Sequence, residues 1–181
     1  AKIKKEGDIY DVERGELIGK EVVLGEFSPT ATEAVMLAAV LAKGKTVIRG
    51  AASELSVQDF SKVLSKMGAK IKWNGSHVIE IEGVKKLSGY DHKVEPDHLE
   101  AGTFIIAGSL TPGRVTVKNV NFDYLDLFLH KIEEIGVNFE KGENQITVWY
   151  SPNLKAVKVQ ALPHPGFPTD LLPVVIPLLT K

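Results

Sequence analysis

The chain has no cysteine among its 181 residues. That absence excludes disulfides, thiolate nucleophiles and cysteine-based metal sites together. Arginine is nearly as scarce: of 22 basic residues only Arg14, Arg49 and Arg114 are arginines. Bidentate capture of phosphate or carboxylate favours the guanidinium fork, so a site for a highly anionic ligand needs more arginine than this, or must borrow it. Neither sign of charge is in excess. The formal net charge is −1, which leaves no bulk attraction to nucleic acid or to an anionic membrane. Long hydrophobic runs are missing too. The longest, 171–179, contains Pro173 and Pro177 and is too short to span a bilayer. Ala1-Lys2-Ile3-Lys4-Lys5-Glu6 lacks the apolar core of a signal peptide. The five histidines are scattered without a spacing such as His-x3-His, so neither a metal site nor a cofactor is expected. The expectation is a cytoplasmic globular protein that binds neither nucleic acid nor membrane.

What is there is a repeat. Ala1-Lys2-Ile3-Lys4 recurs as Ala69-Lys70-Ile71-Lys72, and a further step of the same 68 residues reaches Val137-Asn138-Phe139-Glu140. Self-similarity at a fixed period dictates architecture, because each unit leaves a face that only a neighbour can cover. The clearest unit spans 30–95. An apolar helix is expected over 30–42, ended at Gly44. Thr46-Val47-Ile48 reads as a β-branched strand, and 53–56 as a loop with capping residues. Val57, Phe60, Leu64 and Met67 recur at helical spacing and stop at Gly68. Strands at 70–73 and 77–81 around Asn74-Gly75 read as a hairpin.

The second unit, 96–166, repeats that order. It has an apolar helix over 103–110 and a strand at 115–117. Tyr124, Phe128, Ile132 and Ile135 form a helical stripe ended at Gly136, and 137–139 with 146–149 form a hairpin. Residues 1–29 match the end of an earlier unit, and 167–181 the opening helix of a later one. The expected fold class is α+β: tandem helix–strand–helix–strand–strand units, incomplete at both ends. The nearly all-apolar opening helices should lie inside and the amphipathic helices outside them. An unpaired strand edge and half a unit ask for another chain, so self-association or a complementary chain is expected.

Three proline-containing loops precede the opening helices at equivalent places: Phe27-Ser28-Pro29, Val94-Glu95-Pro96-Asp97 and Leu162-Pro163-His164-Pro165. The third continues into Pro163-His164-Pro165-Gly166-Phe167-Pro168-Thr169-Asp170. This resembles the Pro-His-Pro-x-Phe-Pro-Thr-Asp segment of the enolpyruvyl transferases, in the branch acting on UDP-N-acetylglucosamine. Glu100-Ala101-Gly102-Thr103-Phe104 is similar to that family's Glu-Thr-Gly-Thr-Phe, and Met67-Gly68-Ala69-Lys70-Ile71 and 28–33 add to the likeness. The resemblance covers essentially the whole chain. It implies an inside-out α/β barrel arrangement of two lobes, each of three units, with helices buried, sheets outside and the active site in the cleft between lobes. On that frame 1–95 is the end of one lobe, and 96–181 begins the second, a central portion of the family's length.

The resemblance also implies chemistry. The family moves the enolpyruvyl group of phosphoenolpyruvate onto a sugar hydroxyl. That needs a base near the hydroxyl, an acid near the methylene carbon and cations around phosphate and carboxylate. Spacing alone favours Asp170 as an N-cap for the helix that follows; with the whole segment matching, it takes the place of the aspartate proposed as the family's base, and both roles can coexist. Glu26, Phe27, Ser28 and Pro29 match the loop that contacts the uridine nucleotide, while Ser28 also suits a cap or turn. Glu26 stands where the family usually has lysine, and an acid facing a diphosphate is repulsive. His98 stands where the family commonly has arginine. His164, between two prolines, reads as a structural hydrogen-bonding residue. The family's acid lies upstream of these units and its later arginines lie downstream. The chain by itself is therefore expected to be inactive, with the UDP-sugar and phosphoenolpyruvate bound only when the missing units complete the site. Two other functions compete: a non-catalytic scaffold or binding module derived from the family, and a sliding-clamp-like ring subunit. A clamp needs a basic helical face, and the opening helices carry almost no Lys or Arg.

Overall fold

The computed structural model describes residues 2–13 and 15–180. Ala1 of the repeated tetrapeptide, Arg14 and Lys181 lie outside the described residues. The chain divides into two compact units, with the boundary between Lys93 and Val94.

The first unit opens with a hairpin of β1 (Lys2–Glu6) and β2 (Ile9–Glu13), antiparallel, with Ile3 opposite Val12. Both strands are exposed throughout. A four-stranded sheet follows, built from β3 (Glu21–Val23), β4 (Lys45–Arg49), β5 (Lys70–Trp73) and β6 (Val78–Glu82) in the order β3-β4-β6-β5. β3 runs parallel to β4, and the other pairs are antiparallel. Alternation along β4 and β6 puts Ile48, Ile79 and Ile81 inward, all fully buried. Against them pack α1 (Pro29–Ala39) and α2 (Leu55–Lys66) through Met36, Ala39, Val57 and Leu64. Residues after β6 have no regular structure but are tied down across the unit. Val84 N–H donates to the Val40 carbonyl at 2.8 Å, Ser88 Oγ to that of Met67 at 3.0 Å, and His92 Nε2 lies 2.8 Å from Asp59 Oδ2.

The second unit contains α3 (His98–Leu110), β7 (Arg114–Lys118), a 3-10 turn at Phe122–Tyr124, α4 (Asp126–Ile135), β8 (Asn138–Lys141) and β9 (Gln145–Trp149). A second 3-10 turn, Thr169–Leu171, leads into α5 (Leu172–Leu179). The sheet order β7-β9-β8 reproduces β4-β6-β5, all antiparallel. The repeat is thereby visible as structure: Lys45, Lys70 and Val78 start strands whose counterparts start at Arg114, Asn138 and Gln145. The core is Ile105, Phe128, Ile132, Ile135, Ile146, Val148, Phe167, Leu171 and Val175. Gly102 and Gly108 let α3 approach its neighbours: a Cβ there would sit 2.7 Å from a Leu171 methyl and 2.7 Å from a Val148 methyl. Glycine within a helix costs about 1 kcal/mol against alanine, and here it permits close contact. The sheets remain open among the described residues.

Several boundaries differ from expectation for local reasons. α3 starts five residues before 103, because the Asp97 carboxylate accepts from Leu99 N–H at 2.7 Å and Glu100 N–H at 3.3 Å and so fixes the cap there. No serine caps α2: Glu54 holds the N-cap position and makes no capping bond. Tyr124 falls outside α4, in the preceding 3-10 turn. α5 begins at Leu172, after the 3-10 turn that contains Asp170. Each opening helix is interior on one face. α1 buries Thr32, Met36 and Ala39, while Leu37 and nearby Leu41 are more than half exposed; on α3, Phe104 is 56% exposed.

Candidate functional site

In the first unit the loop Glu26–Pro29 leads straight into α1. Ser28 is its N-cap: the Oγ accepts from Ala31 N–H at 3.3 Å, and Pro29 occupies the first helical turn. The Ser28 carbonyl accepts from Thr32 N–H at 3.0 Å and from Thr32 Oγ1 at 2.8 Å. Thr32 is completely buried, and its Oγ1 in turn accepts from Ala52 N–H at 3.0 Å. Next to Ala52, the Ala51 carbonyl accepts from His77 Nδ1 at 2.8 Å, which sets the proton on that nitrogen. The His77 ring lies against Phe27, with centroids 4.3 Å apart. Phe27 and Glu26 are exposed. The result is a fixed loop with a half-exposed aromatic pair beside a helix N-terminus, which suits a planar ring joined to an anion. The exposed Glu26 carboxylate in the same loop would repel such an anion. Two residues beyond Ala52, Glu54 Oε2 is buried without a hydrogen-bond partner among the described residues.

Thr32 is the joint of this loop. Thr32→Val keeps the shape but leaves Ala52 N–H buried and unpaired. A loss of about 1–3 kcal/mol is expected, read as a lower midpoint in urea unfolding. An unchanged midpoint counts against this account of the loop.

In the second unit the segment 161–170 is built as a fixed turn. Leu162 N–H donates to the Phe167 carbonyl at 3.1 Å, and Gly166 N–H to that of Pro163 at 2.8 Å. The His164–Pro165 peptide is cis, as in turns with proline third. A side chain at Gly166 would collide with Leu162 Cβ and the Pro163 carbonyl, so glycine is required by space. Phe167 and Leu171 are buried anchors, Phe167 with its ring 5.9 Å from that of Phe128. Asp170 lies between these anchors with its side chain exposed. The turn and α5 both lack a side-chain cap bond. The Asp170 carboxylate instead accepts from Thr169 Oγ1 at 3.3 Å. The capping alternative for Asp170 therefore fails, whereas for Ser28 capping is what the structure shows.

Beside Asp170 stand groups that sequence reasoning left apart. The Tyr124 ring is 5.8 Å from the ring of His98 and 5.8 Å from that of His164. Burial holds the His98 imidazole below its ordinary value of 6.5, and nearby His164 pushes the same way; Asp97 and Asp170 oppose the shift. The unfolded chain takes up this proton at the ordinary value and the folded chain only at lower pH. Acidification below about 6.5 therefore favours unfolding through this group. The spacing of His98, Tyr124 and His164 in sequence carries no signal of their contact.

Elsewhere, Arg49 pairs with Glu21 at 2.7 Å and Arg114 with Glu140 at 3.5 Å, both pairs on the exposed faces of their sheets. Among the described residues no three His, Cys, Asp or Glu groups are arranged to hold a metal ion. No described helix is long and apolar enough to cross a membrane.

Comparison with solved structures defines the class by fold. The enolpyruvyl transferase NikO from Streptomyces tendae matches 98% of this chain and 45% of its own, with TM-score 0.83 at 19% identity. EPSP synthase from Acinetobacter baumannii matches 98% of this chain and 42% of its own, with TM-score 0.63 at 20% identity. The family model of EPSP synthase (3-phosphoshikimate 1-carboxyvinyltransferase) matches residues 3–181, and the chain belongs to that family. UDP-N-acetylglucosamine 1-carboxyvinyltransferase 2 of Geobacillus kaustophilus is 48% identical over 98% of this chain, and UDP-N-acetylglucosamine 1-carboxyvinyltransferase of Histophilus somni is 43% identical over 93%. The chain spans about two-fifths of the length of these curated relatives, 41% and 40% respectively.

Proposed function

We propose that the chain is part of an enolpyruvyl transferase that transfers enolpyruvate from phosphoenolpyruvate to the 3-hydroxyl of UDP-N-acetylglucosamine, a step of peptidoglycan precursor synthesis in the cytoplasm. The main support is the 48% identity across nearly the whole chain to a relative named for carboxyvinyl transfer to that UDP-sugar. In the proposed step the sugar oxygen bonds to the phosphate-bearing carbon as its proton passes to the Asp170 carboxylate. An acid protonates the neighbouring methylene carbon. Loss of that proton and of phosphate restores the double bond. An exposed carboxylate held between two buried anchors, with no capping duty, is suited to the base role.

Glu26, Phe27, Ser28 and Pro29 are assigned to the uridine nucleotide: the Phe27–His77 pair would meet the base, and the start of α1 the diphosphate. The acid and the phosphate-gripping cations are assigned to parts of the family's length that the chain does not span. Residues 1–95 are read as belonging to one lobe and 96–181 to the other. The test is phosphate release from phosphoenolpyruvate that depends on the UDP-sugar, assayed with the protein and with the family's remaining units supplied. Nucleotide binding without phosphate release under those conditions would favour a binding module instead. Within this assignment, Glu26→Lys removes a repulsive charge and adds an attractive one. It is expected to tighten UDP-sugar binding about tenfold, ~1.4 kcal/mol, by calorimetry at low salt. Unchanged or weaker binding would remove Glu26 from the nucleotide site.

A further inference from the structure

We propose that His77 reads the nucleobase: its Nε2 accepts the N3–H of uracil, so that the loop selects a uridine diphosphate over a cytidine diphosphate. The proposal rests on Glu26–Pro29 being the nucleotide loop. The geometry behind it does not. His77 closes the turn between β5 and β6, directly before Val78. It is far along the chain from Phe27, yet the two rings meet with centroids 4.3 Å apart and planes tilted by 43°. One buried dipeptide holds both sides. The Ala51 carbonyl accepts from His77 Nδ1 at 2.8 Å, and Ala51 N–H donates to the His77 carbonyl at 3.1 Å. Ala52 N–H donates to Thr32 Oγ1 at 3.0 Å, and that hydroxyl donates to the Ser28 carbonyl at 2.8 Å. Ala51, Ala52 and Thr32 are completely buried. The imidazole is therefore clamped at its backbone, at Nδ1 and against Phe27, on the same support that fixes the loop.

That clamp also decides the chemistry of the other ring nitrogen. A carbonyl oxygen only accepts, so Nδ1 carries a proton, and in the neutral ring Nε2 is a bare acceptor. It has no hydrogen-bond partner among the described residues. Among those residues the buried side-chain polar atom left unpaired is Glu54 Oε2. Nε2 is thus open to solvent, beside the exposed ring of Phe27. Uracil and cytosine have nearly the same shape but opposite N3 atoms: a donor in uracil, an acceptor in cytosine. Against a fixed imidazole lone pair the first makes a hydrogen bond. The second sets lone pair against lone pair and leaves both groups unpaired. Phe27 offers apolar area to either base. The Glu26 carboxylate accepts from the uracil N3–H or from the cytosine amine alike, and supplies no such preference. The discrimination belongs to His77, and it comes from a fixed tautomer rather than from charge.

Two measurements test this, on the protein with the family's remaining units supplied and at mildly alkaline pH, where imidazole is neutral. The first is calorimetry with uridine diphosphate and cytidine diphosphate. The uridine form is expected to bind about 10- to 100-fold more tightly. His77→Leu removes the acceptor, and is expected to weaken the uridine form and bring the ratio near one. The second needs no variant. In nitrogen NMR of the unaltered protein, the His77 Nε2 signal is expected to move to its hydrogen-bonded position with uridine diphosphate and to stay in place with cytidine diphosphate. Equal affinity for the two nucleotides overturns the proposal, as does a uridine preference that survives His77→Leu. So does an Nε2 signal blind to uridine diphosphate while the amide signals of Phe27 and Ser28 respond; in these three cases the nucleotide loop still stands. Absent binding, or binding that leaves the Phe27 and Ser28 signals unmoved, overturns the loop assignment and the proposal together.

Discussion

Asp170→Asn is expected to lower enolpyruvyl transfer by about 10²- to 10⁴-fold, the usual worth of a positioned general base. The amide keeps the size of the side chain and its hydrogen bond with Thr169, but takes no proton from the sugar hydroxyl. The fold should be indifferent. The carboxylate is exposed, caps neither the 3-10 turn nor α5, and accepts from Thr169 Oγ1 at 3.3 Å. A surface change of this kind stays within about 0.5 kcal/mol of stability. The measurements are phosphate release under saturating substrates and a urea midpoint on the same preparation. Loss of rate with an unchanged midpoint assigns the effect to chemistry. Full activity in the variant removes Asp170 from the mechanism.

Phe128→Ala is expected to destabilise the second unit by about 3–5 kcal/mol. Phe128 is wholly buried on α4, and its ring meets that of Phe167 at 5.9 Å. A domain has about 5–15 kcal/mol in total, so this single change removes much of it. The effect should also reach the site. Phe167 is one of the two anchors that hold Asp170, and its seat on Phe128 fixes the end of the turn that starts at Leu162. Activity is therefore expected to fall in Phe128→Ala even where the protein is still folded. Phe128→Leu, which refills part of the space, should recover much of both. A midpoint that drops by less than about 1 kcal/mol in stability would mean that the neighbours collapse into the space. Retained activity in a strongly destabilised variant would mean that Asp170 is held by its backbone turn without the Phe167 anchor.

The sequence determined the repeat and much of what the repeat contains. Strands at 70–73 and 146–149, and helices ending at Gly68 and Gly136, were legible because alternation, 3.6-residue spacing and glycine stops are local signals. The long proline segment was legible as a family segment, since seven specified residues within a span of eight rarely match by accident. Element starts were less legible where a competing cap decided them. Asp97 moved the start of α3 back to His98, and the Pro168–Thr169 stretch gave a 3-10 turn before α5.

The environment of the candidate residues was decided only in three dimensions. Asp170 as an N-cap and Asp170 as an exposed carboxylate are the same letter in the same segment. Only the placement of its oxygens separates them. Thr32 looked like one more residue of an apolar helix, yet its hydroxyl joins Ser28 to Ala52, twenty residues away from it. His98, Tyr124 and His164 are separated along the chain and share a corner because α3, a 3-10 turn and a cis-proline turn converge there. The physical reason is range. Propensity, alternation and capping act over a few residues and are written in order along the chain. Burial, ring contact and the field that one titratable group places on another depend on distance in space, which only the packed fold sets.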